Sequence, residues 1–215
     1  MDNSLLNAIK IGNEINLSYK SKINPSQEEQ IVRVLPPQLG GETQIEVNCD
    51  GIIGTISISS DRTIHLHRLP LSKISGFIYS NELNGNKHSV ISYSNELNSC
   101  WSRLIICKEL SHIFLESEDN MTAPSVDKIS DLLTGLVNKS IHNEQLAVEN
   151  SAYFAAIEML LPKSEVEKVY KDYIEPGATE LSIAESYKIP VKAIEFRFSE
   201  SVNMAYNEAY KLLKI

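Results

Sequence analysis

The 215-residue chain has few cysteines and no long hydrophobic run. Its three cysteines, Cys49, Cys100 and Cys107, form no C-x-x-C pair and leave an odd thiol, which favours reduced thiols over a disulfide framework. No apolar run approaches the roughly 20 residues that a transmembrane helix needs. The first four residues, MDNS, lack the basic start of a signal peptide. We therefore expect a cytoplasmic protein that does not bind membranes.

The chain also lacks an excess of basic residues. Lys and Arg total 20 against 28 Asp and Glu, which gives a formal net charge of −8. A general nucleic-acid surface needs clustered Lys and Arg to contact phosphates, so direct nucleic-acid binding is not expected. The composition, 42% hydrophobic and 22% charged, is ordinary for a globular protein with one substantial core. A protein or peptide partner fits this charge better.

The first half of the chain is predicted to contain one helix and then a sheet. An amphipathic stripe predicts a helix over residues 4–20, with Ser4 as its cap. A turn-rich connection rich in Pro and Gly follows. Short β-branched runs then predict strands at 44–47, 52–58, 63–66, 76–79 and 89–93, with hairpin turns at 59–62 and at Asn84-Gly85-Asn86.

After Asn95 the pattern predicts helices. The first is capped by Asn98 or Ser99 and ends near Leu115. The others are predicted over 126–138, 143–161, 164–173, 179–187 and 191–213, separated by prolines at 162, 176 and 190. The last two resemble a helix-turn-helix. Acidic residues there offset the basic ones, so a structural or partner-binding role is favoured over DNA reading: Glu180, Glu185, Glu195 and Glu200 against Lys188, Lys192 and Arg197.

The segment with the most chemical information is RLIICKELSH, residues 103–112. It differs from the metalloprotease helix signature H-E-x-x-H by one ligand, because Lys108 stands in the place of the first histidine. That signature places two histidines one helical turn apart on one zinc ion, with the glutamate after the first as general base. Glu109 keeps the place of the base and His112 that of the second ligand.

A second helix carries ENSAYFAAIEMLLP, residues 149–162. Its apolar content is too high for an exposed helix, so it must pack inside the fold. Glu149 would then be buried and would need a partner.

These two segments together resemble the ImmA/IrrE metallopeptidases, whose core reads roughly R-x-x-x-x-H-E-x-x-H followed by E-x-x-A-N-x-F-A-x-x-L-L-M-P. Arg103 stands five residues before Lys108, as the family's arginine stands before its first histidine. Glu149, Ala152 and the run 160–162 match the second motif. The strands at 76–79 and 89–93 and the segment 181–198 extend the resemblance to about residues 70–200, and the first 60 residues are unmatched.

The resemblance implies an α+β fold, in which a small, mostly antiparallel sheet packs on a helical zincin-like core. A C-terminal, helix-turn-helix-like segment would pack on that core. We divide the chain into an N-terminal helix and start of the sheet (1–60), a metallopeptidase-like core (61–175) and a C-terminal helical segment (176–215). The resemblance also implies Glu109 as general base on a zinc-bound water, with His112 and Glu149 as zinc ligands.

The chain departs from the family pattern at the site itself. Ser111 replaces the usual glycine, and Tyr153 and Ala155 replace the usual Asn and Phe; we expect these changes to alter packing only. Lys108 instead removes a ligand, because an ammonium has no lone pair and can bind zinc only after deprotonation. The two remaining ligands are one short of the usual three. Alternatively, Lys108 lies where the metal would lie and pairs with Glu109 and Glu149.

Other histidines and a cysteine are candidates for the missing ligand. His142 precedes Glu149 by seven residues and could reach the site only from a loop before that helix. His65 and His67 alternate along a strand and share one face, which favours a place in the sheet. His88 is expected to be exposed at a turn. Cys107 is expected to point into the core.

The leading functional hypothesis is an ImmA/IrrE-like regulator that acts on or binds a repressor-type DNA-binding partner in a stress, phage or mobile-element circuit. Lys108 favours a catalytically degenerate version, for which no cofactor is needed. One alternative is an active zinc-dependent endopeptidase with an atypical ligand set. Another is a toxin–antitoxin or phage-derived binding module on the same scaffold, since a fold does not dictate a function.

Overall fold

The computed structural model describes residues 3–22, 61–72, 74–115, 122–124, 144–174 and 179–215. In these ranges the chain is α+β, as predicted. The helices are α1 (Asn3–Lys22), α2 (Ser99–Leu115), α3 (Glu144–Leu160), α4 (Lys163–Ile174), α5 (Glu180–Tyr187), α6 (Val191–Phe198) and α7 (Glu200–Leu213). The strands are β1 (Arg62–Leu69), β2 (Ile74–Leu83), β3 (Asn86–Ser94) and β4 (Thr122–Pro124). None of the helices in these ranges is long and apolar enough to cross a membrane.

The sheet is mixed but mostly antiparallel, with the strand order β1-β3-β2-β4. Strands β2 and β3 form a hairpin, and Asn84 and Gly85 take φ angles of 54° and 79° in its turn. Two positive φ angles are the requirement of a tight hairpin turn, which explains the Asn-Gly pair. Strand β1 runs parallel to β3, and the short β4, which was not predicted, runs antiparallel to β2.

Most predicted elements in the described ranges are confirmed. The Asn98 side chain accepts a hydrogen bond from the Trp101 N–H at 3.1 Å, so Asn98 is the cap of α2. Helix α1 begins at Asn3, one residue before the expected cap Ser4, so that cap prediction was wrong. The predicted strands at 44–47 and 52–58, the helix at 126–138 and the first half of the turn at 59–62 lie outside the described residues. In the second half of that turn, Asp61 has a φ angle of 49° and Arg62 already begins β1. The division into three segments stays a prediction.

The single helix predicted over 191–213 was also wrong, because the chain turns at Ser199. This residue has a ψ angle of 143°, outside the helical range, and separates α6 from α7. Its backbone N–H and its hydroxyl both donate to the Phe196 carbonyl, at 3.1 and 2.8 Å. The serine thus satisfies a carbonyl in the last turn of α6. The helix ends here without the proline or glycine that usually marks such a break.

Helix α2 is the centre of the fold, packed between the sheet and α3. All of its residues from Ser102 to His112 are buried. Helix α3 is almost as fully enclosed over residues 149–160, because α1 packs on its other side. The contact between α1 and α3 is close at Gly12, where a Cβ atom would lie 2.7 Å from the Cβ atom of Glu158. Charged residues of α2 and α3 therefore lie in the protein interior.

Gly76 of β2 allows the sheet to approach α2 at a particular place. A Cβ atom at this position would lie 2.6 Å from Ile105 Cγ2 and 3.0 Å from the Ser92 carbonyl oxygen. The same atom would lie 3.7 Å from Glu109 Oε1. The absence of a side chain at Gly76 thus brings β2 directly against the helix that carries the candidate site.

Replacing Gly76 by alanine is expected to lower the free energy of unfolding by about 1–3 kcal/mol, because the added methyl group overpacks this contact. Asn81→Ala on the exposed part of β2 is the control, with an expected change within about 0.5 kcal/mol. Chemical denaturation of both variants measures the difference. A Gly76→Ala variant as stable as the control would contradict the close helix–sheet contact.

Candidate functional site

Lys108 lies between two carboxylates in the interior of the protein. Its Nζ is 2.6 Å from Glu149 Oε2 on α3 and 3.0 Å from Glu109 Oε1 on its own helix. The side chains of Lys108 and Glu109 are fully buried, and that of Glu149 is 8% exposed. A buried charge persists only with a partner, and here each charge has one. The predicted pairing of Lys108 with Glu109 and Glu149 is therefore present.

His112 lies one helical turn after Lys108 and on the same side of α2, as the i, i+4 spacing requires. Its Nε2 is 3.4 Å from Glu149 Oε1, close enough for electrostatic attraction but not in hydrogen-bonding geometry. The structure thus brings together all four residues that the sequence singled out, from two helices that are distant in the chain. Their catalytic and metal-binding roles stay predictions.

The two carboxylates respond in opposite ways to the same surroundings. Burial raises the pKa of Glu149, but the neighbouring His112 and Lys108 outweigh it and hold that pKa below its ordinary value. Burial raises the pKa of Glu109 above its ordinary value, because burial outweighs the Lys108 and His112 charges there and the Glu149 charge adds to the rise. Glu149 is therefore the main counter-charge of the Lys108 ammonium, and Glu109 is the carboxylate that takes up a proton more easily.

Several buried polar atoms around the ion pairs have no hydrogen-bond partner among the described residues. They include Glu109 Oε2, both ring nitrogens of His112 and the hydroxyl of Tyr153. Burial raises the pKa of Tyr153 well above its ordinary value, and the carboxylates of Glu109 and Glu149 raise it further, so this phenol stays protonated. Lys108 Nζ lies 5.9 Å from the centre of its ring.

The residues present do not fit a three-ligand zinc site. The Lys108 ammonium already binds the carboxylate of Glu149 that the resemblance assigns to the metal, and it has no lone pair to offer. A cation placed among these groups would also meet the positive charge of Lys108. Across the described ranges, no three His, Cys, Asp or Glu side chains are arranged to hold a metal ion.

The other histidines considered as ligands do not lie at the site. Gly76 of β2 faces α2 and pairs with Tyr93 of β3, which in turn pairs with Arg68 of β1. Paired residues lie on the same face of a sheet, so the even-numbered residues of β1 face α2. His65 and His67 therefore lie on the opposite face, where both are exposed. His88 is half-buried in β3, against prediction, because its ring stacks on His65 at 6.0 Å. His142 lies outside the described residues.

The other two departures from the family pattern, Ser111 and Ala155, pack within and between the helices. Ser111 is buried, and its hydroxyl donates to the Cys107 carbonyl at 2.8 Å within α2. Ala155 and Cys107 are fully buried, and Cys107 belongs to the hydrophobic core as expected. Within the described residues, no hydrogen bond or ion pair joins Ser111 or Ala155 to the Lys108 ion pairs.

Arg103 has a structural role that its position in the motif did not reveal. Its Nη1 donates to the carbonyls of Tyr187 and Lys188 at 2.8 and 3.2 Å. These carbonyls end α5, where Lys188 takes a left-handed conformation. A guanidinium at a helix C-terminus satisfies free carbonyls and interacts favourably with the helix dipole. Arg103 thus joins the helix of the candidate site to the C-terminal segment.

Sequence reasoning missed a second buried charged cluster, formed by Glu158, Arg197 and Tyr210. A signal was present, since Glu158 is a charged residue within the most apolar part of α3. The partners could not be named from sequence, because Tyr210 is 52 residues away.

Comparison with known proteins agrees with the architecture of the site. A family model described as the IrrE N-terminal-like domain matches residues 60–199. No match was found among curated proteins. The matched range includes the sheet from β1 to β4, both helices that carry the Lys108 ion pairs, and the segment through α6.

We expect Lys108→Ala to lower the free energy of unfolding by about 3–5 kcal/mol, because it leaves buried carboxylates without their cation. The cost should shrink when Glu149→Gln is present in the same chain, since the main counter-charge is then gone. Glu109→Gln in the same chain should reduce the stability cost of Lys108→Ala by a smaller amount. Denaturant midpoints of the single and double variants measure the coupling.

Lys192→Ala is the matched control, because Lys192 forms an exposed ion pair with Glu195 and should change stability by less than about 1 kcal/mol. If the effects of Lys108→Ala and Glu149→Gln simply add, the two charges are not coupled and the ion pair does not exist in solution.

Proposed function

Since the chain belongs to the IrrE N-terminal-like family of metallopeptidase-fold proteins, we propose that it is a regulator of the ImmA/IrrE type that has lost catalysis. It binds a protein partner and does not cleave it. The observation that carries this proposal is the Lys108 ammonium, 2.6 Å from Glu149 and 3.0 Å from Glu109. It supplies within the chain the positive charge that a zinc ion would supply to these carboxylates.

The loss of catalysis follows from what hydrolysis requires. A zinc peptidase needs a metal-bound water, and its base must take a proton from that water. In this chain Glu109 Oε1 is bound to Lys108, and the fully buried Glu109 has no open access to solvent. The ion pairs instead hold α2 and α3 together, so the fold of a peptidase is kept while its chemistry is not.

The partner that we propose is a repressor-type DNA-binding protein in a stress, phage or mobile-element circuit, and the location is the cytoplasm. The charge of the C-terminal segment supports a protein partner over direct DNA binding. Arg197, one of the basic residues of this segment, is buried, and the Lys192 ammonium is bound to Glu195 at 2.8 Å. Little positive charge is then left on α5 and α6 for phosphate contacts.

Metal content tests the proposal directly. The protein purified without chelator should hold well under one equivalent of zinc. Lys108→His recreates the H-E-x-x-H pair and, with Glu149, supplies three ligands, so this variant should gain up to one equivalent of zinc. Lys192→His adds a histidine at an exposed position and controls for adventitious binding. Metal analysis after dialysis gives the readout.

Three results would contradict parts of the proposal. Stoichiometric zinc in the unchanged protein, removed by chelators with loss of stability, would favour an active endopeptidase with an atypical ligand set. A folded Lys108→His variant that takes up no zinc would mean that the surroundings of Ser111 and Ala155 have also been remodelled. Zinc-dependent cleavage of a co-purifying partner would overturn the loss of catalysis itself.

A further inference from the structure

The outer face of the sheet, which is turned away from α2, carries a cluster of histidines. Three of the five histidines in the chain lie there: His65 and His67 in β1, and His88 in β3. Residues alternate between the two faces along a strand, and paired residues share a face, so the register places all three on the outer side. The sheet separates them from the Lys108 ion pairs. Nothing in the proposed function uses them.

His65 and His88 are near enough to bind one ion. His65 pairs with Val90 and His88 with Thr63, so the two histidines are diagonal neighbours on adjacent strands. Their ring centres are 6.0 Å apart, and their planes are 14° from parallel. Two imidazoles on one ion have ring centres at most about 6.3 Å apart, because the metal–nitrogen bond is about 2.0–2.1 Å and the nitrogen lies about 1.1 Å from the ring centre. The observed separation is inside this limit, and the exposed His65 side chain is free to turn toward His88.

His67 is too far from His88 for both to bind the same ion. His67 pairs with Ser92, which follows His88 by four residues, roughly 13 Å along β3. Side chains stand nearly perpendicular to a sheet, so the rings of His67 and His88 do not converge. This agrees with the result that no three His, Cys, Asp or Glu side chains in the described ranges are arranged to hold a metal ion. The cluster therefore offers a pair of ligands that includes His65.

The outer face of the sheet carries no cationic Lys or Arg side chain from β1, β2 or β3 that would repel a metal ion. The charged residues of these three strands all lie on the face that is turned toward α2, because of the same alternation: Arg62, Arg68, Glu82 and Lys87. The surroundings of His65 and His88 thus differ from those of His112, which shares its carboxylate with the Lys108 ammonium.

We propose that His65 and His88 form a reversible binding site for a divalent transition-metal ion, which bridges β1 and β3. Neutral imidazole suits Cu²⁺, Ni²⁺ and Zn²⁺, and Cu²⁺ binds most tightly in this series, so Cu²⁺ is the probe of choice. Two protein ligands are fewer than the three or four of a permanent zinc site, so dialysis removes the ion. The site is independent of the proposed function, because it lies across the sheet from Lys108 and uses none of the residues there.

Titration of the full chain with Cu²⁺, in a buffer that does not bind metals, tests the site. Calorimetry measures the number of ions bound, and electron paramagnetic resonance counts the imidazole nitrogens on the copper. We expect one equivalent of Cu²⁺ that carries two imidazole nitrogens. His65→Asn and His88→Asn should each lose this equivalent. His67→Asn should keep it and is the matched control, because His67 shares the strand, the face and the exposure of His65.

Two outcomes would overturn the site. Loss of the ion in His67→Asn, with binding kept in His88→Asn, would place it between His65 and His67 instead. Equal binding in all three variants, or none in the unchanged protein, would leave an adventitious ion only. If the half-buried His88→Asn fails to fold, the two exposed variants decide, because the proposed pair requires His65 and not His67. Neither outcome changes the zinc uptake expected of Lys108→His, so failure of this site is distinguishable from failure of the proposed function.

Discussion

A lysine ammonium buried between two carboxylates is the interaction on which the centre of this fold depends. Residues 102–112 of α2 and nearly all of residues 149–160 of α3 are buried, so any charge in these stretches must be matched within the protein. Lys108 provides that match for Glu149 of α3 and for Glu109 of α2. The cost of burying three charged groups is offset only while all three remain together, which makes the contact between the helices specific as well as stabilising.

The rest of the architecture holds these two helices in place. Gly76 lets the sheet come within contact distance of α2 beside Glu109, and Gly12 does the same for α1 against α3. Arg103 connects α2 to the end of α5, while Glu158 and Tyr210 connect α3 to α7. The C-terminal helices are thus joined to both central helices by polar contacts.

Sequence could predict the parts of the site that depend on local geometry. Lys108, Glu109 and His112 lie within one helical turn, so their shared location followed from the helical period. The place of Glu149 came from the resemblance, because only tertiary packing brings α3 to α2. The break at Ser199 was missed because a serine hydroxyl, and not a proline or glycine, marks it: the hydroxyl donates to the Phe196 carbonyl in the last turn of α6. The exposed and stacked positions of His65 and His88 depend on the pairing of β1 with β3, which is not local.

The proposed loss of catalysis depends on Lys108 occupying the place of a metal ion. A crystal structure from crystals grown with zinc, with anomalous diffraction data at the zinc absorption edge, tests this most directly. We expect no anomalous peak near Glu149 and His112, and we expect Lys108 Nζ within hydrogen-bonding distance of both Glu109 and Glu149. An anomalous peak bound by Glu149 and His112, with the Lys108 side chain displaced, would contradict it.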